Sequence, residues 1–167
     1  YAVGNVGISQ LDLPIIYLFG GGATFFSARF IGHWADKYGK AKVYRWAAAA
    51  AMIPLLVLTN LGVVPLWVWV ICTTCFFVLI SGRMIPGMAL ITSAARPNLR
   101  GTFMSLNGTV QSVSMGLATS LAGFLITVDA SGKMQGYPLV GLVAITANLV
   151  AIWFVAKLVV HDKPLKA

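Results

Sequence analysis

Between two long apolar runs lies Gly32-His33-Trp34-Ala35-Asp36-Lys37-Tyr38-Gly39-Lys40-Ala41-Lys42, of the form G-x-x-x-D-K-x-G-K-x-K. Gly32 would let a helix end approach a neighbour closely, and Gly39 offers the backbone freedom that a sharp reversal needs. Asp36 is an acid among cations, able to pair with an arginine or to sit at the positive N-terminus of a neighbouring helix. Lys37, Lys40 and Lys42 also serve to hold the segment on one side of a membrane.

The flanks explain why a membrane is involved. The chain has 167 residues, 59% hydrophobic and 10% charged, with a mean hydropathy of +0.86; a soluble domain is about 25% charged. There are 12 Lys and Arg against 4 acids, for a net charge of +8. The cations cluster between apolar runs, which is the pattern of membrane loops and not of a nucleic-acid surface. Helices need about 20 apolar residues to cross the hydrocarbon, and five spans are expected at about 13–31, 44–60, 66–91, 102–127 and 137–160. None alternates with period two, so spanning strands are not expected.

Orientation follows from the Lys/Arg bias. Ten cations surround the first-to-second loop, the third-to-fourth loop (Arg96, Arg100) and the C-terminal end, against Lys133 alone on the other side. The C-terminus and the basic loops are therefore expected in the cytoplasm, and Trp67, Trp69 and Tyr137 at the outer interface.

The loop motif resembles the signature of the major facilitator superfamily of transporters, between the second and third helices of each six-helix half. Gly82-Arg83-Met84-Ile85-Pro86-Gly87 and Arg96-Pro97-Asn98-Leu99-Arg100-Gly101 continue the likeness in the right order. It is greatest to bacterial drug and sugar efflux permeases. The resemblance implies an all-α integral membrane fold in which these five helices form most of the C-terminal six-helix bundle. It also implies that the bundle's first helix and the whole N-terminal half, a partner of this domain, lie outside the sequence. A tail that reads as a chain end, and the lack of a proline in the fourth span, point to spans eight to twelve of twelve. The activity implied is export of a small drug-like or sugar-like solute by alternating access, in exchange for protons, in the inner membrane.

Inside the spans, Arg83 is the one deep charge, and such a residue is a functional hypothesis by default; inter-helix pairing is the competing role. Asn107 and Gln111, with Ser114 as a weaker companion, are candidates to line a cavity and touch substrate. Asn148 is similar but belongs to a helix expected at the periphery. Gly20, Gly21 and Gly22 form a candidate bending or packing point, and Gly108, Ser112 and Gly116 belong to a small-residue face suited to close packing. Arg96 and Arg100 are candidate partners of Asp36 in a conformational latch formed by Gly32, Asp36, Lys37, Gly39 and Lys40.

No H-E-x-x-H, G-x-S-x-G or P-loop pattern occurs, so neither an enzyme nor ATP-driven transport is expected. Cys72 and Cys75 read as small packing residues, His33 and His161 as solvated, and no metal or cofactor is expected. No acid lies deep in a span, so a proton carrier would have to come from elsewhere; symport and uniport stay open, as does a non-transporting sensor or scaffold derived from a transporter.

Overall fold

A computed structural model describes residues 1–95, 97–130 and 132–157. Five helices dominate: α1 Leu13–Tyr38, α2 Lys40–Asn60, α3 Leu66–Ala94, α4 Arg100–Leu125 and α5 Tyr137–Lys157. The fold is an all-α membrane bundle. Of its helices, α1, α2, α3 and α5 are long and apolar enough to cross a bilayer. At 26 residues α4 matches them in length, but its glycines, serines and amides make it less apolar.

Local chemistry accounts for the helix ends. Before α1, the Ser9 hydroxyl accepts the Leu11 N–H at 3.3 Å, capping the short turn Gln10–Asp12; Pro14 then occupies the first turn of α1, where its missing N–H costs nothing. At the other end α1 runs on to Tyr38, past the apolar stretch, so His33, Asp36 and Lys37 lie on helix and not in a loop. A single residue makes the turn. Gly39 has φ 94° and ψ 131°, its N–H donates to the Ala35 carbonyl and its own carbonyl accepts from Val43, both at 3.1 Å. Because glycine reaches positive φ without a Cβ clash, the polar residues on both sides remain helical.

Hydroxyls inside these apolar helices are satisfied by their own backbone. Thr59 donates to the Leu55 carbonyl at 2.9 Å, Thr73 to Trp69 at 2.8 Å and Thr146 to Leu142 at 2.9 Å. Such back-bonding lets a polar side chain sit where no water is available.

In the tertiary arrangement, α1, α2 and α3 pack against one another, and α5 packs along α2. The close approaches fall at particular glycines. A Cβ at Gly20 would collide with the Phe77 ring of α3. At Gly82 it would lie 3.4 Å from Ala47 of α2 and Ile31 of α1, at Gly87 3.2 Å from Tyr44, and at Gly141 2.6 Å from the Thr59 hydroxyl. Gly21, Gly22 and Gly32 instead face open space, as do Gly108 and Gly116. Their expected packing role finds no neighbour among the described residues, because those faces turn away from the three-helix core.

At the end of the bundle away from Gly39, Val6, Ile8, Ile16, Leu58 and Trp69 form a small core. The Tyr1 ring stacks on Tyr137 at 4.2 Å, and its hydroxyl donates to the Leu61 carbonyl at 2.8 Å. Asn5 mimics a strand edge: its side chain both donates to and accepts from the Met134 backbone at 2.8 Å. That pins the N-terminal segment to a two-stranded hairpin, β1 Thr127–Val128 and β2 Met134–Gln135, which links α4 to α5.

Helix α4 is the exception. It touches α5 and the Pro97–Leu99 turn only slightly and buries none of its residues, leaving Phe124 86% exposed.

Candidate functional site

Two polar features stand out against the apolar bundle. The first joins three helices at mid-depth. Arg83 of α3 donates from Nη1 to Oδ1 of Asn148 on α5 at 2.7 Å, and Nδ2 of Asn148 donates to the Ala48 carbonyl of α2 at 2.8 Å. Asn148 and Ala48 are buried, 7% and 0% exposed, so the bond between them is fully buried, while the Arg83–Asn148 bond is part-buried. One amide thus uses its acceptor for a charge and its donor for a backbone carbonyl. Pro86, also fully buried, follows Arg83 by less than one turn; lacking an N–H, it leaves the Gly82 carbonyl without its usual helical donor.

The second feature is the turn at Gly39. Ala35, Asp36, Gly39, Lys40 and Lys42, with Leu90 of α3, line a cleft there. Lys40 reaches across to the Ser93 hydroxyl near the end of α3, Nζ to Oγ 3.4 Å. Asp36 is exposed on the last turns of α1, and among the described residues it has no hydrogen bond or ion pair with Arg100. Arg96 lies outside the described residues. The short joint, the acid one turn before it and the cations after it are now seen as one compact structure. It ties α1 to α2 and, through Lys40 and Ser93, to α3.

The model of the Major Facilitator Superfamily matches residues 1–167, the whole chain. The chain belongs to the major facilitator superfamily. No curated protein and no solved structure matches it closely enough to add to that. As a superfamily member it is a multi-pass membrane protein of a transporter family, with the lipid bilayer and a transported substrate as its partners.

Within this superfamily chain the candidate substrate residues occupy one helix that the others leave uncovered. Asn107, Gln111 and Ser114 fall at i, i+4 and i+7 on α4, hence on one face. Asn107 is half-buried, Gln111 and Ser114 are exposed, and none has a hydrogen-bond partner among the described residues. Ser112 is exposed on the same helix. Arg83 does not join them: its hydrogen bond goes to Asn148 of α5, and among the described residues none links it to Asn107, Gln111 or Ser114. Among the described residues no three His, Cys, Asp or Glu side chains gather.

Asn148 is the residue whose partner sequence reasoning did not name. A signal existed: it is the only amide in an otherwise apolar α5, and Arg83 is the only charge at depth in α3. In a bilayer two such singletons have a strong reason to find each other. Gly82 and Gly87 stood out only as part of the family-like stretch, and Gly141 not at all, since nothing in a sequence says which glycine faces a neighbour.

Proposed function

We propose that this chain forms most of the C-terminal half of a secondary transporter that exports a small drug-like or sugar-like solute by alternating access, in exchange for protons. The observation that carries this reading is the contrast between α4 and the rest. Four helices are tied together, by glycine contacts and by the Arg83–Asn148–Ala48 bonds, while α4 presents a polar row with no hydrogen-bond partner among the described residues. Amides facing lipid are costly, so a wet, substrate-accessible cavity shared with the N-terminal half is the natural setting for Asn107, Gln111 and Ser114. A further helix of the same half would cover the remaining apolar surface of α4. The described acids Asp12, Asp36 and Asp129 all lie at helix ends or in a loop, so the proton-carrying acid belongs to the other half. The charge of the basic turns supports a cytoplasmic orientation for them and for the C-terminus, in keeping with an inner-membrane carrier.

Asp36 serves as the latch. In one conformation of the carrier its carboxylate meets the N-terminus of α4 or the guanidinium of Arg96 or Arg100, and the opposite conformation forms when that contact parts. Asp36→Asn keeps size and shape but removes the charge. An ion–dipole contact of about 1 kcal/mol corresponds to roughly a five-fold loss of transport, measured in inverted vesicles at equal membrane abundance. Transport at the wild-type rate refutes the latch. Drug-like and sugar probes tested in the same vesicles with an imposed pH gradient examine the coupling; movement indifferent to the gradient refutes proton exchange.

A further inference from the structure

The outer surface of α2 near Gly39 carries Lys42, Arg45, Trp46 and Ala49, spaced i, i+3, i+4 and i+7 and therefore on one face. All four are exposed, Trp46 by 71%. A groove runs along each side of this row. The one toward α1, about 690 Å³, is walled by Phe30, Trp34 and Tyr38 and is almost wholly apolar; the one toward α5, about 610 Å³, is walled by Ile152, Val155 and Ala156. Trp46 is the ridge between them and Lys42 stands at the head of both, with Arg45 beside it on the α5 side. Neither cation makes a hydrogen bond or ion pair among the described residues. One acid, Asp36, shares a cleft with Lys42; Lys37 and Lys40 lie on either side of Gly39, so the surrounding charge stays positive.

We propose that this end of α2 is a specific site for an anionic phospholipid of the surrounding leaflet. Its phosphate sits between Lys42 and Arg45, and its acyl chains lie in the two grooves astride Trp46. The charge complementarity is direct, because basic pockets between transmembrane helices suit lipid phosphates. The apolar walls select a lipid over a free phosphate, which would leave both grooves empty. Trp34, Tyr38 and Trp46 line the same groove as Lys42, and amphipathic rings beside cations suit the membrane interface. The first turn of α2 carries no acid and no side-chain cap, so its positive end adds to the attraction.

The test uses the full native chain in phosphatidylcholine vesicles containing a rising fraction of phosphatidylglycerol brominated on its acyl chains. Tryptophan quenching is read in the wild type and in Trp46→Phe, whose difference isolates Trp46. Phosphatidylglycerol should quench Trp46 well beyond its share of the lipid. That preference should fall about five-fold for each charge removed, so that Lys42→Gln/Arg45→Gln loses most of it. Lys42→Arg/Arg45→Lys should retain it, which separates lost charge from lost fold, and Lys133→Gln at the opposite end should leave it intact. Quenching in proportion to lipid composition in the wild type overturns the site, as does an unchanged preference in the double glutamine variant. An equal loss with Lys133→Gln overturns it in favour of diffuse attraction. Failure of any brominated lipid to quench Trp46 overturns it by showing that a polypeptide covers the face.

Discussion

Asn148→Leu should be among the more damaging single changes in the bundle, and its cost should depend on whether Arg83 is present. The side chains match in size, but leucine removes both the acceptor that receives Nη1 of Arg83 at 2.7 Å and the donor to the Ala48 carbonyl at 2.8 Å. Leaving a buried polar group without its partner costs about 1–3 kcal/mol, more for a charge. Interhelical bonds in membranes are weaker than that scale, about 0.6 kcal/mol on average and up to about 1.7. Two bonds, one charge-assisted, place Asn148→Leu at about 2–3 kcal/mol. Arg83→Met loses one bond but also removes the charge that needed it, and should cost about 1 kcal/mol or less. With both replaced, the guanidinium no longer has to be satisfied, so the double variant should be better off than the sum of the single losses by about 1–2 kcal/mol. The cycle is measured by denaturant unfolding in mild detergent, followed by far-UV circular dichroism. Independent sites add within about 0.3–0.5 kcal/mol; additivity to that level would refute the three-helix connection.

Glycine contacts make a second contrast. Gly141→Ala puts a methyl 2.6 Å from the Thr59 hydroxyl and 2.9 Å from its methyl, on a β-branched side chain whose hydroxyl is bonded to Leu55, and should destabilise by about 1–3 kcal/mol. Gly21→Ala meets nothing within 4 Å and should stabilise by about 0.5–1 kcal/mol through helix propensity; the two unfolding midpoints should move in opposite directions. Asn5→Leu breaks both bonds to Met134, so the Met134 amide should exchange hydrogen faster while amides in α2 and α3 keep their protection; unchanged exchange at Met134 would refute the strand mimicry. Burial, and secondarily Tyr137, raise the Tyr1 hydroxyl above its ordinary value of 10.0. A raised value means the folded state holds the proton more tightly. The stabilisation is therefore complete below pH 10 and lost as pH rises through the raised value, a step in an alkaline unfolding series that Tyr1→Phe should remove.

Membrane residence, the all-helical class and the family were legible in the residues alone, because each rests on quantities that add up along the chain. Apolar length, charge content and the spacing around Asp36 and Gly39 mean the same thing wherever the helices later go. Gly39 was legible as the reversal for the same reason: a positive φ is a property of one residue. Its neighbours were less so, since whether Asp36 and Lys37 lie on helix or loop depended on a one-residue turn that spacing does not disclose.

Which faces meet is a different kind of fact. Gly20, Gly21 and Gly22 are chemically identical, yet only Gly20 lies under the Phe77 ring, because successive helical positions point about 100° apart and the partner occupies one direction. Arg83 carried two open roles until the fold set Asn148 beside it, 65 residues away in the chain. The amides of α4 read the same in sequence whether they pack against a helix or line water. Only packing in space assigned α4 a face that the described residues leave bare, because a helix's neighbours are chosen by pairwise fit among all helices and no single segment encodes that fit.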